Sequence, residues 1–168
     1  VATGMVIEGK AGFQIMGDWA KGEFTAAGKT PGVDYYCAAT PSNNGYLYNV
    51  DSFIFYKSSD PDKQAGQKLL AKLMMGKNFQ KVFNLYKGSI PARLDVSMDE
   101  FDKCAKTSNA DIKTAGAKGG LVPSFAHGMA QGNTMKAALQ DIITEHFNSD
   151  MSSVDAANAL ADSVLANM

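Results

Sequence analysis

Ala11-Gly-Phe-Gln-Ile-Met-Gly-Asp-Trp-Ala20 is the stretch of sequence that decides how the chain folds. The apolar residues at positions 12–16 predict a buried strand. Gly17-Asp18 then predicts a turn, which places Trp19, the single tryptophan of the chain, at the end of that strand. An indole held at a strand end offers a flat platform for a ligand, whereas a lone tryptophan can also simply fill the core.

The composition is that of an ordinary globular domain. The chain has 168 residues, of which 45% are hydrophobic and 20% are charged, so disordered and fibrous classes are excluded. Sixteen Lys and Arg residues stand against seventeen Asp and Glu residues, and the net charge is -1. No run of basic residues is interleaved with aromatic residues, so the sequence argues against nucleic acid as a partner.

The histidine and cysteine content argues against a metal site. The sequence contains only two His and two Cys, and neither a metal site nor a cofactor is predicted. Cys37 and Cys104 form an even pair that suits one disulfide in an oxidising compartment, but two buried thiols remain the alternative. No apolar run approaches the about 18 residues of a membrane span. The opening at Val1 lacks an initiator Met and a signal peptide, so we expect the middle of a longer protein.

Local sequence patterns predict a helix-rich α/β architecture. Apolar periodicity and end signals predict helices over residues 1–8, 19–27, 61–75, 78–86, 97–114, the later part of 124–147, and from residue 152 or 153 onward. Strands are predicted at residues 12–16 and 33–38, with an extended hinge segment at 46–56. Turn-forming residues predict a turn at 41–45 and a loop at 118–124.

Four segments of the chain together resemble one protein family: Gly9-Lys-Ala-Gly-Phe-Gln-Ile-Met-Gly-Asp-Trp-Ala-Lys-Gly22, Val50-Asp-Ser-Phe53, Phe83-Asn-Leu-Tyr-Lys-Gly-Ser-Ile-Pro-Ala-Arg93 and Val122-Pro-Ser-Phe-Ala-His-Gly-Met129. They resemble the family 1 extracellular solute-binding proteins of ABC sugar importers, most closely the glucose-binding branch. The resemblance covers essentially the whole chain in the right order. It implies a periplasmic-binding-protein-like fold of type II, in which two α/β lobes bind a sugar in the cleft between them.

The resemblance also implies that this chain is the second half of such a protein. Residues 1–50 would form the first part of the C-terminal lobe up to the hinge. Residues 51–97 would cross the hinge and enter the N-terminal lobe, and residues 98–168 would complete the C-terminal lobe. Both lobes would lack strands, so we expect pairing with the missing N-terminal half or self-association. The implied location is periplasmic, and the implied protein partners are the membrane subunits of an ABC permease.

Four residues are expected to bind the sugar by this resemblance. Trp19 would pack against the C–H bonds of the sugar ring. Asp51 would accept hydrogen bonds from two hydroxyls, and Lys87 and His127 would contribute from the N-terminal and the C-terminal lobe. Each has an ordinary structural alternative, since Asp51 suits a solvated strand face, Lys87 suits a helix C-terminus and His127 suits a structural role.

Three further polar residues are weaker candidates. Arg93 and Asn49 are interpreted as hinge or packing residues, and Asp18 is expected to stabilise its own turn. The predicted ligand is a monosaccharide such as glucose, bound weakly or not at all until the missing half is restored.

The sequence favours a binding protein over an enzyme. It contains no nucleophile elbow and no phosphate-binding loop, so no catalytic residue is predicted. Ser124 and His127 are three positions apart, without an identifiable acid to orient the histidine. A carbohydrate-active hydrolase and a non-catalytic helical interaction module remain the alternatives.

Overall fold

The computed structural model describes residues 1–41 and 45–167, which divide into two compact units. Unit 1 contains Val1–Tyr46 and Ser52–Gly120, whereas unit 2 contains Leu47–Asp51 and the chain from Leu121 onward. The turn predicted at 41–45 falls largely on residues 42–44, outside the described residues. The fold is helix-rich α/β with a small sheet, as the sequence predicted.

Unit 1 is built from helices. They are α1 (Ala2–Ile7), a 3-10 helix (Asp18–Ala20), α2 (Lys21–Ala26), α3 (Pro61–Met74), α4 (Lys77–Lys87) and α5 (Lys103–Ala117). Helix α2 packs against α1 and α4, while α3 packs against α4 and the 3-10 helix packs against α5. Helix α2 therefore links the N-terminal part of the unit to its later helices.

Unit 2 is dominated by a helical pair. Helices α6 (Asn133–Asn148) and α7 (Ser153–Asn167) pack together. Strands β1 (Tyr46–Tyr48) and β2 (Leu121–Pro123) pair in a two-stranded parallel sheet, and β1 begins at the last residue of the first segment of unit 1. The backbone N–H of Ser124 donates to the carbonyl of Tyr48 at 2.8 Å, which fixes the end of the ladder.

Most helices begin and end where local signals predicted. Pro61 opens α3, and the Asp60 carboxylate caps it by accepting the backbone N–H groups of Asp62 at 2.9 Å and Lys63 at 3.3 Å. Helix α4 ends at Gly88, whose φ of 87° is in the left-handed region that favours glycine. The start of α3 and the end of α4 could therefore be predicted from neighbouring residues alone.

The predicted start of α5 at Ser97 was wrong. The Ser97 hydroxyl instead closes a turn with Asp99, donating to its carboxylate at 2.6 Å and accepting its backbone N–H at 3.2 Å. The helix begins at Lys103 because Asp102 caps it, accepting the N–H of Ala105 at 2.8 Å. The Asp102 carboxylate also complements the positive end of the helix dipole.

The strand predictions at 12–16 and 33–38 were also wrong. Residues 13–17 are irregular, and the side chains of Phe13 and Ile15 are 83% and 75% exposed. A strand requires a hydrogen-bonded neighbour, and in the described ranges no strand pairs with either segment. In the extended segment only Tyr46–Tyr48 joins a ladder, and the predicted loop contains β2.

The start of α2 and the end of α4 are in direct backbone contact. A Cβ atom added to Gly22 would lie 2.7 Å from the carbonyl oxygen of Lys87, and one added to Gly88 would lie 2.5 Å from the nitrogen of Gly22. Real Cβ atoms do not approach that closely, so both positions require glycine. The contact sets the distance between the two helices.

A buried aromatic pair stabilises the other side of α2. Phe24 stacks on Tyr35, with ring centroids 4.3 Å apart. Among the described residues the Tyr35 hydroxyl has no hydrogen-bond partner. Burial, and to a smaller extent the negative charge of Asp102, raises the pKa of this hydroxyl to about 12.

Gly22→Ala is expected to destabilise unit 1 by about 1–3 kcal/mol, because the new methyl group would overlap the Lys87 carbonyl. Gly66→Ala is the matched control, since it lies within α3 with no atom within 4 Å of the added Cβ. It should stabilise the chain by about 0.5–1 kcal/mol through its helix propensity. Urea unfolding measures both, and equal effects of the two substitutions would contradict the close approach.

Tyr35→Phe is expected to leave stability at neutral pH unchanged or slightly higher, because it removes an unpartnered hydroxyl. The folded-state pKa lies above the ordinary value near 10, so the contribution of the protonated hydroxyl to the pH dependence of stability is fully present below that pH. The contribution is lost as pH rises from about 10 to about 12. Across this pH range the free energy of unfolding of Tyr35→Phe should rise relative to that of the parent chain. Tyr36→Phe, at an exposed neighbouring position, should follow the parent.

Candidate functional site

Trp19 lies in the 3-10 helix that precedes α2, and its side chain is half-buried. The six-membered part of its indole covers the backbone of Gly17, where an added Cβ would overlap the ring. The backbone of Gly17 is extended, with φ −70° and ψ 165°. A side chain at this position would therefore displace the indole, and the absence of one allows the ring to pack against the backbone of Gly17.

Lys87 is the last residue of α4 and is also half-buried in unit 1. Its Nζ lies 5.8 Å from the ring centroid of Phe83, within range of a cation–π interaction. Phe83 in turn stacks on Phe79 at 5.4 Å and meets the edge of Phe53 at 6.4 Å. The charged end of this lysine thus lies beside an aromatic cluster of Phe53, Phe79 and Phe83.

Asp18 does more than the turn role expected from its sequence. Its Oδ2 accepts the backbone N–H of Ile90 at 3.1 Å, although the two residues are 72 positions apart. Burial raises the pKa of the carboxyl, and the Ile90 hydrogen bond and the charges of Lys21 and Lys87 oppose that rise. The carboxylate therefore connects the segment that carries Trp19 to the segment that follows Lys87.

Lys21 and Asp102 form a largely buried ion pair that fixes the same region. The ammonium donates to the two carboxylate oxygens at 2.9 and 3.2 Å, and the lysine side chain is only 7% exposed. Cys37 and Cys104 form a disulfide, with Cα atoms 5.7 Å apart. Both cross-links reach the first turn of α5, so this turn is anchored to two earlier segments of unit 1.

Arg93 makes structural contacts within unit 1. Its Nε and Nη2 donate to the two carboxylate oxygens of Asp95, each at 2.8 Å, and its Nη1 donates to the carbonyl of Met75 at 3.1 Å. The hydrogen bond from Arg93, with a further one from Lys77, holds the pKa of Asp95 well below its usual range. The arginine thereby connects the end of α3 to the segment before α5.

Asp51 and Asn49 lie just after β1 in unit 2. The Asn49 side-chain amide donates to Asp51 Oδ1 at 3.0 Å, and the Asp51 side chain is exposed. The amide therefore restrains one carboxylate oxygen of Asp51. A carboxylate oxygen can accept more than one hydrogen bond, so this contact is compatible with ligand binding.

His127 is exposed in unit 2, three residues after the buried Ser124. The Ser124 hydroxyl lies 2.6 Å from His127 Nδ1, so the two groups share a short hydrogen bond. Ser124 is only 2% exposed, and its carbonyl accepts the backbone N–H of Met129 at 2.9 Å. A serine enclosed in this way cannot attack a substrate, so the pair suits ring orientation better than acyl transfer.

The four predicted residues divide between the units. Trp19 and Lys87 belong to unit 1, where Asp18 and the Gly22 contact connect their segments, whereas Asp51 and His127 belong to unit 2. Their convergence on one ligand stays a prediction. Sequence reasoning missed the long-range role of Asp18, which no local pattern reveals. It also missed Gly22, although an isolated glycine in a helical pattern is a usable signal of close backbone approach.

Other candidate sites are weak in the part of the chain that the structure describes. A shallow groove of about 410 Å³ lies between residues 55–58 and residues 64–71 of α3, and none of the predicted residues lines it. A search of residues 1–41 and 45–167 finds no group of three or more His, Cys, Asp or Glu residues that could hold a metal ion. None of the described helices is long and apolar enough to cross a membrane.

Comparison with known proteins gives three informative relatives, although no protein-family model matches the chain. It is 47% identical over 165 residues to a probable sugar-binding periplasmic protein of Brucella suis, covering 98% of this chain and 39% of the relative. An uncharacterized ABC transporter extracellular-binding protein of Pyrococcus horikoshii is 37% identical over 145 residues, which are 86% of this chain and 32% of that protein. A xylose/arabinose-binding protein of Haloferax volcanii is 28% identical over 164 residues, which are 95% of this chain and 34% of that protein.

The similarity thus extends along nearly the whole chain but covers only part of each relative. The chain spans 39% of the length of the Brucella suis protein. It is similar, over almost its entire length, to a portion of proteins named for sugar binding and for extracellular binding in ABC transport.

Ser124→Ala is expected to shift the tautomer balance of His127, because it removes the hydroxyl bound to Nδ1. Long-range ¹H–¹⁵N spectra report the protonation of each ring nitrogen. His146 is the internal reference, since its Nδ1 lies 2.8 Å from the carbonyl of Met151, which can only accept, and so carries the proton. A spectrum in which His127 keeps its pattern in the variant would show that Ser124 does not orient it.

Proposed function

We propose that the chain is part of the substrate-binding component of an ABC carbohydrate importer. In this proposal it binds a monosaccharide and delivers it to the membrane subunits of the permease, in the periplasm, without catalysing a reaction. The observation that carries the proposal is the 47% identity, along 98% of the chain, to a relative named as a sugar-binding periplasmic protein. The resemblance of the four sequence segments to solute-binding proteins points in the same direction.

The chemistry of the predicted residues suits a sugar. The indole of Trp19 is oriented by Gly17 and offers an apolar face to the C–H bonds of a pyranose ring. Asp51 supplies carboxylate acceptors, Lys87 supplies ammonium donors, and His127 supplies a ring nitrogen that accepts or donates. Charge-assisted hydrogen bonds to hydroxyl groups are stronger than neutral ones, which explains how a neutral ligand is held.

We further propose an aldohexose such as glucose as the ligand, from the resemblance to the glucose-binding branch. The Haloferax volcanii relative, named for xylose and arabinose, makes a pentose the second candidate. A hexose carries a hydroxymethyl group that a pyranose pentose lacks. A site shaped for that group would prefer glucose over xylose, because its polar partners stay unpaired when the smaller sugar binds.

The proposal also assigns residues to the lobes of a two-lobe fold of type II. Residues 1–50 and 98–168 would belong to the C-terminal lobe, with 51–97 crossing the hinge into the N-terminal lobe. The compact units have other boundaries because they reflect contacts within this chain alone. Lobes completed by further strands would gain contacts that this chain does not contain.

The exposed apolar side chains support the proposal that a further polypeptide segment covers them. The buried apolar side chains among the described residues are few and mostly small: Ala20, Phe24, Val96, Phe101, Ala105, Ala115, Met135 and Ala156. Many large ones are exposed, among them Phe13, Ile15, Phe53, Ile54, Leu69 and Leu73. Apolar surface on this scale marks an interaction site. We propose that the rest of the full-length protein covers it, or a second copy when the chain is alone.

The helical interaction module is the remaining alternative, and it treats the exposed apolar residues as its whole function. It gives no reason for a fixed indole or for a carboxylate and a histidine that are each restrained by a neighbour. A hydrolase is disfavoured by the enclosure of Ser124.

Calorimetric titration of the longest natural polypeptide that carries this sequence, with glucose, galactose, mannose, xylose and arabinose, tests the function. We expect saturable binding of one or more hexoses without product formation. Trp19→Ala and Asp51→Asn should each weaken binding by at least about tenfold, as expected for loss of about 1.4 kcal/mol or more. This chain alone should bind weakly or not at all.

Lys72→Ala on the exposed side of α3 is the control for surface substitutions, and we expect it to bind as the parent does. Tighter binding of xylose than of any hexose would change the proposed ligand from glucose to a pentose and leave the proposed importer role unchanged. Release of a hydrolysis product would favour the enzyme, and absence of binding to every sugar would favour the interaction module.

A further inference from the structure

We infer that Asp18 is a positioning residue that holds the Trp19 platform and the Lys87 cation at a fixed separation within unit 1. Its effect on sugar binding rests on the proposed function. Its effect on the two segments rests on geometry alone. The sequence gives Asp18 only a local role in a turn, whereas the structure gives it a partner far along the chain.

The central contact is the hydrogen bond between Asp18 Oδ2 and the backbone N–H of Ile90, at 3.1 Å. Asp18 is the first residue of the 3-10 helix that carries Trp19, and Ile90 lies three positions after Lys87. One carboxylate therefore joins the backbone segments of both predicted ligand-binding side chains. A hydrogen bond donated to an ionised acceptor is among the stronger hydrogen bonds in proteins.

A close backbone contact lies next to this hydrogen bond and restricts the same two segments. Gly22 and the Lys87–Gly88 peptide approach so closely that neither glycine has room for a side chain. The glycine contact fixes how near the segments come, while the Asp18 hydrogen bond fixes their rotation and sliding. Two separate constraints on the same pair of segments define their relative position, whereas a single contact would leave them able to rotate and slide.

Charge gives Asp18 a second connection to Lys87. The carboxyl is largely buried, which raises its pKa, and the positive charges of Lys21 and Lys87 favour its ionised form. The Lys21 ammonium is already held by Asp102 at 2.9 Å. The attraction between Asp18 and Lys87 is reciprocal, so the carboxylate also attracts the Lys87 ammonium.

Asp18→Ala and Asp18→Asn separate the two connections. Alanine removes both the acceptor and the charge, while asparagine keeps a side-chain oxygen that can accept the Ile90 N–H. Asp34→Ala is the matched control, because the Asp34 carboxylate also accepts a backbone N–H, that of Thr30 at 2.7 Å, but within an exposed local turn.

Three readouts are measured on the longest natural polypeptide that carries this sequence: hydrogen exchange of the Ile90 amide, acrylamide quenching of Trp19, and sugar affinity. The first two need no sugar. In Asp18→Ala we expect Ile90 exchange at least about tenfold faster and greater quenching, because one charge-assisted hydrogen bond is lost. Asp18→Asn should restore both readouts. Sugar affinity should fall by about tenfold or more in Asp18→Ala and less in Asp18→Asn, and Asp34→Ala should match the parent in all three.

Unchanged Ile90 exchange and unchanged quenching in Asp18→Ala would overturn the inference whatever the sugar result. Altered exchange and quenching with unchanged sugar affinity would overturn the functional part of it. If the parent protein binds no sugar, the proposed function fails, and exchange and quenching still decide the structural part. If Asp18→Ala does not fold, the asparagine variant decides: lower affinity with intact Ile90 protection supports the charge connection, and parental affinity overturns it.

Discussion

The close contact between the start of α2 and the end of α4 is the constraint on which unit 1 depends. Gly22 and Gly88 allow the two backbones to touch, and no other residue type fits either position without displacing them. Helix α4 in turn carries α3, and the 3-10 helix before α2 packs on α5. A change at this contact would therefore be transmitted to every helix that either partner supports.

Polar and covalent cross-links stabilise this unit where apolar burial is limited. In unit 1 the large buried apolar side chains are Phe24 and Phe101, and the other buried ones are small or β-branched. The Lys21–Asp102 pair and the Cys37–Cys104 disulfide both reach the start of α5. A disulfide stabilises a fold mainly by restricting the unfolded chain, which is most useful when the core is small.

The sequence predicted those features whose causes are local. Asp60 and Pro61 were sufficient to place the start of α3, and Gly88 was sufficient to place the end of α4. The strand predicted at 12–16 failed because pairing depends on a neighbour that the pattern of one segment does not supply. The Asp18–Ile90 bond was invisible for the same reason, since its two partners are brought together only by the helices between them.

The candidate residues share a physical property that favours the binding of a ligand: contacts within the chain restrain each of them. Within unit 1, Trp19 is held by Gly17 and Lys87 by its aromatic cluster; within unit 2, an amide restrains Asp51 and Ser124 restrains His127. Association reduces the freedom of side chains, and groups already ordered lose less on binding. Each unit thus orders its own candidate side chains through contacts within that unit, which lowers the cost of binding a ligand.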